Sequence, residues 1–216
     1  VANAATAATP GSLADHAGWR PASEASYSYL LGMYLGDGYL ARDRRGVTAS
    51  LRLSLDAAYE GVIDEAARAI ARVMPGTPVG RMRRRTRCVV LQANHPAWPV
   101  AFPQHGRGKK HLRRIELAPW QAEITRRYPR ELIRGLIHSD GCRSVNRFKT
   151  RLPSGRVAQY AYVRYFFSNL SEDIKDIFCT HCDALGIRWS RANPRYVSIH
   201  DRASVRLLDG FVGPKR

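Results

Sequence analysis

The sequence predicts an α+β fold in which an αββαββα unit, built around an antiparallel sheet, occurs twice about a pseudo-two-fold axis. Three observations predict it. Two apolar stretches with helical spacing, Leu30-Leu31-Gly32-Met33-Tyr34-Leu35-Gly36-Asp37-Gly38 and Ile133-Arg134-Gly135-Leu136-Ile137-His138-Ser139-Asp140-Gly141, lie about a hundred residues apart and both close on Asp-Gly. The same succession of strand and helix patterns follows each, which is the signature of an internal repeat. The strand segments alternate apolar and polar residues, as expected of sheets with one face on a core.

The elements can be justified in order. Residues 1–24, rich in Ala, Thr, Pro and Ser, read as a disordered lead-in. The first repeat, 25–115, opens with a helix from Tyr27 to Gly38, the glycine acting as stop signal. Val47 to Leu55 is a strand: Val47, Ala49, Leu51, Leu53 and Leu55 face one way, and Thr48, Ser50, Arg52 and Ser54 form a polar, donor-bearing face. Val62, Ala66, Ala69, Ile70 and Val73 set a helix over Tyr59 to Met74, ended by Pro75-Gly76. A strand pair (Val79 to Arg85, Arg87 to Gln92), a short helix (Ala97 to Phe102) and a glycine-containing loop (Gln104 to Lys110) follow. Residues 116–128 read as a linker. The second repeat, 129–216, has a helix from Arg130 to Gly141 and a hairpin of Arg143 to Leu152 and Val157 to Ser168 around Pro153-Ser154-Gly155. A helix from Glu172 to Leu185 ends at Gly186, a strand pair covers Ile187 to Ala192 and Tyr196 to His200, and a helix covers Arg202 to Phe211.

A formal net charge of +17 on 216 residues points to a polyanionic partner. No acid occurs between Thr77 and Ile115 or between Cys142 and Leu170. The acids collect in Glu60, Asp64, Glu65 and in Glu172, Asp173, Asp176, Asp183, so one positive surface and one mixed surface are expected. Only five of the 35 basic residues are lysine, the other 30 being arginine, which suits forked contacts to phosphate and guanine and also reflects GC-rich coding. No apolar run approaches the roughly 18 residues of a membrane span. Cys88, Cys142, Cys179 and Cys182 do not form a secreted disulfide framework, which points to an intracellular protein, in the cytoplasm or nucleoid of a GC-rich bacterium. Cys179-Thr180-His181-Cys182 lacks a second ligand pair and reads as packed helix thiols.

Gly32, Gly36 and Gly135 would let the two apolar helices approach until their backbones touch. Asp37 and Asp140 would then stand together at the helix tips, at a cost unless a cation lies between them. A hard, oxygen-seeking divalent ion such as Mg²⁺ fits two carboxylates, and such an ion beside a phosphate has the ingredients for phosphodiester hydrolysis.

On these two motifs the chain resembles the LAGLIDADG homing endonucleases of the single-chain, two-motif type, from about Tyr27 to the C-terminus. The resemblance implies saddle-shaped sheets in the DNA major groove and a long asymmetric double-stranded target. It also implies a monomer that cuts both strands to leave 3′ overhangs. It assigns catalysis and metal binding to Asp37 and Asp140, with the Gly36 and Ser139 carbonyls assisting. Mg²⁺ or Mn²⁺ would support cleavage and Ca²⁺ binding alone. Leu35 and His138 stand where the family name has an acid, and His138 reads as a packed or capping residue. The family's late basic residues correspond to Lys110 and Lys215 when Gly108-Lys109-Lys110 is aligned with Gly213-Pro214-Lys215, with Lys109 left as an alternative to Lys110. Asn169, at a strand end near the centre, is a candidate to hold a catalytic water.

The candidate DNA-binding residues of the first repeat are Arg42, Arg44, Arg45, Arg52, Arg81, Arg83, Arg84, Arg85 and Arg87. Those of the second are Arg143, Arg147, Lys149, Arg151, Arg156, Arg164, Arg188, Arg191 and Arg195. Arg143, Arg147, Lys149 and Arg151 share one strand parity and so one face. Tyr160 and Tyr162 could touch DNA or pack at a sheet edge, with packing as the default. A DNA-binding regulator that does not cut is the main alternative, and an RNA maturase ranks last for want of an aromatic stacking signature.

Overall fold

The structure is a computed structural model that describes residues 18–42, 49–213 and 215, except the side chains of Arg42 and Ala192. The lead-in up to residue 17, Arg44, Arg45 and the Arg42 side chain lie outside the described residues.

Helix α1 (Glu24–Asp37) begins ahead of its apolar pattern because Ser23 caps it, the hydroxyl accepting from Ser26 N at 3.4 Å. Its residues Tyr27 to Leu35 are buried without a break, so it is a central helix with no solvent stripe. Strand β1 (Gly38–Arg42) follows directly; the five residues are too few to show an alternation, and the sequence reading had no strand there. Then come β2 (Ala49–Asp56), α2 (Glu60–Val73), β3 (Val79–Arg83), β4 (Cys88–Asn94) and the short α3 (Trp98–Ala101). The expected linker is itself helical over α4 (Pro119–Arg127). Its buried Gln121 donates to Tyr27 Oη at 2.7 Å and accepts from Ala118 N at 2.8 Å, so a polar residue holds the helix inward where periodicity expects an apolar one. The second unit runs α5 (Pro129–Asp140), β5 (Gly141–Arg151), β6 (Val157–Ser168), α6 (Glu172–Ala184), β7 (Ser190–Asn193), β8 (Tyr196–Ile199) and α7 (Arg202–Asp209).

The two sheets are four-stranded and antiparallel, with orders β1-β2-β4-β3 and β5-β6-β8-β7, so the two units share one topology. In the first sheet Leu51, Leu53, Leu55, Leu91 and Ala93 turn inward; in the second Tyr165, Phe167, Val197 and Ile199 do so. Cys179 and Cys182 are free thiols buried on α6.

The two units meet chiefly through α1 and α5. A Cβ on Gly32 would stand 2.6 Å from the Leu132 carbonyl oxygen and 2.7 Å from Leu136 N; a Cβ on Gly135 would strike the Tyr29 carbonyl oxygen. The helices therefore touch backbone to backbone. Gly38 and Gly141 end the two helices without left-handed backbone: their φ values are −94° and −108°. The chain folds straight from helix into strand over its own last turn, and a Cβ would meet Tyr34 Cα at 2.5 Å or Ile137 Cα at 2.7 Å.

Gly135→Ala should destabilise the protein by roughly 1–3 kcal/mol, at the upper end because the opposing atoms are backbone and cannot rotate away. Urea unfolding of the variant, set beside Gly80→Ala where the nearest atom to an added Cβ is 3.7 Å away, measures the difference.

Candidate active site and nucleic-acid surface

The contact between α1 and α5 brings their C-terminal ends together. A Cβ on Gly36 would lie 2.5 Å from Ser139 Cβ and 3.1 Å from Asp140 Cγ, so the second helix tip is tucked against the first. Asp37 and Asp140 are both partly buried at this junction. Burial, and then the neighbouring Asp140 carboxylate, push Asp37 up to about 7, against the opposing influence of Lys215 and Lys110. Burial also raises Asp140, partly offset by Asn169, whose Nδ2 donates to Asp140 Oδ2 at 2.6 Å.

The two late lysines converge on the same junction. Lys110 opens a 3₁₀ turn (Lys110–Leu112), and its Nζ reaches four carbonyls at the end of α1: Tyr34 at 2.5 Å, Leu35 at 2.8 Å, Gly36 at 2.9 Å and Gly38 at 2.9 Å. Lys215 Nζ donates to the Ser139 carbonyl at 3.1 Å, at the end of α5. Each ammonium thus sits on the negative end of a helix dipole, on the carbonyl just before an aspartate. Lys109 is exposed and Lys110 is not. Burial draws Lys110 down to about 8 and lowers Lys215 as well. The Gly36 and Ser139 carbonyls, expected beside a metal, are here the acceptors of the two ammonium groups.

Asn169 takes part in a local turn, its Oδ1 accepting from Ser171 N at 2.8 Å. Asp56, which the sequence reading passed over, makes the same turn one unit earlier, its Oδ1 accepting from Ala58 N at 2.9 Å. The repeated step from second strand to second helix, Asp56-x-Ala58 and Asn169-x-Ser171, was the available signal. Asp56 lines a cleft of about 280 Å³ with Asp37, Tyr59, His138 and Lys215. His138 is packed as expected: its Nδ1 lies 3.1 Å from Tyr29 Oη, and burial pushes it down to about 4. Among the described residues no three His, Cys, Asp or Glu side chains gather as a metal cluster. The junction is a two-carboxylate site.

Register decides where the arginines stand. Arg52 pairs across from Tyr39 and Gln92, on the face of the first sheet away from the buried leucines. Arg164 pairs across from Ser144 on the corresponding face of the second sheet. Each has a buried Nε with no hydrogen-bond partner among the described residues. Arg81 and Arg83 stand opposite Leu91 and Val89, on the helix-covered side, and bind Asp64 and Glu60 of α2, both at 2.6 Å. Arg143, Arg147, Lys149 and Arg151 do share one face, but it continues the face of Tyr165 and Phe167, and Arg143 binds Asp209 of α7 at 2.8 Å. Arg188 binds Asp201 at 2.8 Å, and Arg191 binds Glu172 at 3.1 Å and also Asp176. The expected segregation of charge is thus corrected: helix acids and strand arginines occupy different elements but meet across the layer between them. Arg85 and Arg87 lie exposed between β3 and β4, and Arg195 between β7 and β8.

Two four-stranded antiparallel sheets in repeated αββαββ units match the fold of the LAGLIDADG homing endonucleases, and solved structures of that class match this chain over most of its length. The DNA-bound meganuclease I-AabMI matches with a TM-score of 0.53 at 10% identity, over 86% of this chain and 82% of that one. I-DmoI in complex with DNA and Mn matches with a TM-score of 0.52 at 14% identity, over 88% of this chain and 97% of that one. I-LtrWI bound to target DNA matches with a TM-score of 0.51 at 10% identity, over 88% and 82%. Comparison with models of protein families gave no match, and neither did comparison with curated proteins. Among the described residues no helix is long and apolar enough to cross a membrane.

Lys110→Met should lower stability by roughly 2 kcal/mol, because a charged donor is withdrawn from the carbonyls that end α1; chemical denaturation at neutral pH gives the value. Arg143 holds the Asp209 carboxyl below its ordinary value. A depressed carboxyl stabilises fully above the unfolded pKa near 3.9 and loses that contribution as pH falls through the folded value. The stability gap between the protein and Asp209→Asn should therefore be constant from pH 7 to about pH 5 and close below about pH 4, as measured by unfolding at successive pH values.

Proposed function

We propose that this chain is a site-specific endonuclease that binds double-stranded DNA as a monomer, with one sheet in each half of an asymmetric site, and cuts both strands at the junction of α1 and α5. The observation that carries the reading is the pairing of Asp37 and Asp140 at the tips of two touching helices, each next to a carbonyl that holds a lysine. A protein that only binds DNA has no need of two partly buried carboxylates, both raised by burial and one raised further by the other. The fold likeness to proteins solved with DNA supports the choice of duplex DNA as partner.

The donor set fits a divalent metal. Asp37 and Asp140 offer hard carboxylate oxygens, and the Gly36 and Ser139 carbonyls are at hand once the ammonium groups move aside. I-DmoI was solved with DNA and Mn and also with DNA and Ca. A bound Mg²⁺ or Mn²⁺ would supply Lewis acidity at the phosphate to be cut. The chain's own groups do the rest. Asp37 and Asp140 hold the positive charge at the centre. Lys110 and Lys215 face the two strand positions and stabilise negative charge that develops on each phosphate. Asn169 and Asp56, at equivalent turns, orient water on either side; the amide and the acid make the two sides chemically unequal. Arg52 and Arg164 reach the groove from the open sheet faces, and the exposed Arg85, Arg87 and Arg195 hold the flanking phosphates.

Selection from randomised duplexes should enrich one long asymmetric site, cut in Mg²⁺ and bound without cutting in Ca²⁺. Asp37→Asn and Asp140→Asn should each reduce double-strand cleavage by at least about 100-fold, a loss of the size seen when one charge-stabilising group is removed, while affinity stays within a few-fold. Variants that cut as well as the parent would overturn the assignment.

A further inference from the structure

The open face of the second sheet is aromatic, and nothing in the cleavage reading uses that. Register places Phe148 opposite Tyr160, Tyr162 opposite Asn146, Phe166 opposite Cys142 and Tyr196 opposite Ser168, all on the face that Tyr165 and Phe167 leave free. Phe148, Tyr160 and Tyr196 are 43%, 45% and 42% exposed. An exposed apolar patch of this kind marks a contact surface. The matching face of the first sheet has one aromatic, Tyr39, among Ser50, Arg52, Gln92 and Asn94. The same fold therefore presents two different chemistries to the two halves of a site.

Phe148 and Tyr160 are nearly parallel, 22° apart with centroids at 5.3 Å, so each covers one face of the other; Tyr162 meets Phe148 edge-on at 5.9 Å. The Arg164 guanidinium sits 4.2 Å over Phe166. The Tyr162 hydroxyl accepts from Asn146 at 2.9 Å. In a duplex the bases are stacked on one another, and the apolar group that projects into the major groove is the 5-methyl of thymine, which suits an exposed aromatic patch.

We propose that the second sheet reads its half-site through thymine methyl groups packed against the Phe148, Tyr160 and Tyr162 cluster, while the first sheet reads its half through hydrogen bonds from Arg52, Gln92 and Asn94. This rests on the reading of the chain as a duplex-DNA binder. The test uses the full chain in Ca²⁺ and the duplex enriched by selection, with thymine replaced by deoxyuridine in one half at a time. Uracil lacks only the methyl group. Affinity should fall roughly threefold to fourfold for each contacted thymine in one half, and by less than twofold in the other. The double variant Phe148→Ser, Tyr160→Ser should bind thymine and uracil versions of the responsive half alike, which ties that half to the second sheet. Should the variant fail to fold, the parent protein still decides. Equal responses in both halves, or none in either, overturn the proposal and leave the endonuclease reading standing. Absence of any enriched duplex, with a single-stranded oligonucleotide held instead and lost in the double variant, overturns both.

Discussion

The backbone contact between α1 and α5 is the constraint on which the rest depends. Gly32 and Gly135 leave no room for side chains between the helices, so the helices cannot slide or splay without losing the close approach of Gly32 to the Leu132 and Leu136 backbone and of Gly135 to the Tyr29 carbonyl. Their tips are consequently held together, and so are Asp37 and Asp140. A like-charged pair at a partly buried junction is unfavourable by itself. The protein offsets it with Lys110 and Lys215, whose ammonium groups also satisfy carbonyls that a helix end leaves without a partner. The junction is therefore a cation site already, with the chain's own cations in attendance.

Charge in the outer layers follows a different logic. The helices α2, α6 and α7 carry acids that reach arginines on the inner face of the strands, so Arg81, Arg83, Arg143 and Arg191 tie helix to sheet. These exposed or partly exposed pairs each contribute little, on the order of 0–1 kcal/mol. Their effect is on where the positive potential lies. With those inner arginines paired to helix acids, the positive charge of the hairpin turns includes Arg85, Arg87 and Arg195, and that of the open sheet faces Arg52 and Arg164. Those faces are also unlike each other. The first carries Ser50, Arg52, Gln92 and Asn94 beside Tyr39, Met82 and Val90, the second mostly aromatic residues, although the strand order is the same.

Much of this was legible in the sequence. The alternation from Ala49 to Leu55 placed the buried leucines correctly, and the glycine-bearing motifs located the helix contact and its acids. Alignment on Gly108 and Gly213 picked out Lys110 and Lys215. These signals are local or repeat at matching places, so one reading of the chain finds them. What escaped had no local signature. Strand β1 is short and unpatterned. Helix α4 is held by buried Gln121, which periodicity counts as polar and outward. Asp56 differs chemically from its counterpart Asn169.

By itself the sequence determined the repeat, the order of the elements other than β1 and α4, the acids at the helix ends and the large positive charge, because each is written in residue type and spacing. Only the tertiary structure decided which face of each strand is open, which arginines are spent on helix acids, and that Lys110 closes on carbonyls 72 to 76 residues away. Those outcomes depend on strand register and on helix-to-sheet packing. Both couple residues far apart in the chain, and a shift of one residue in register would exchange the inner face of a sheet for the outer.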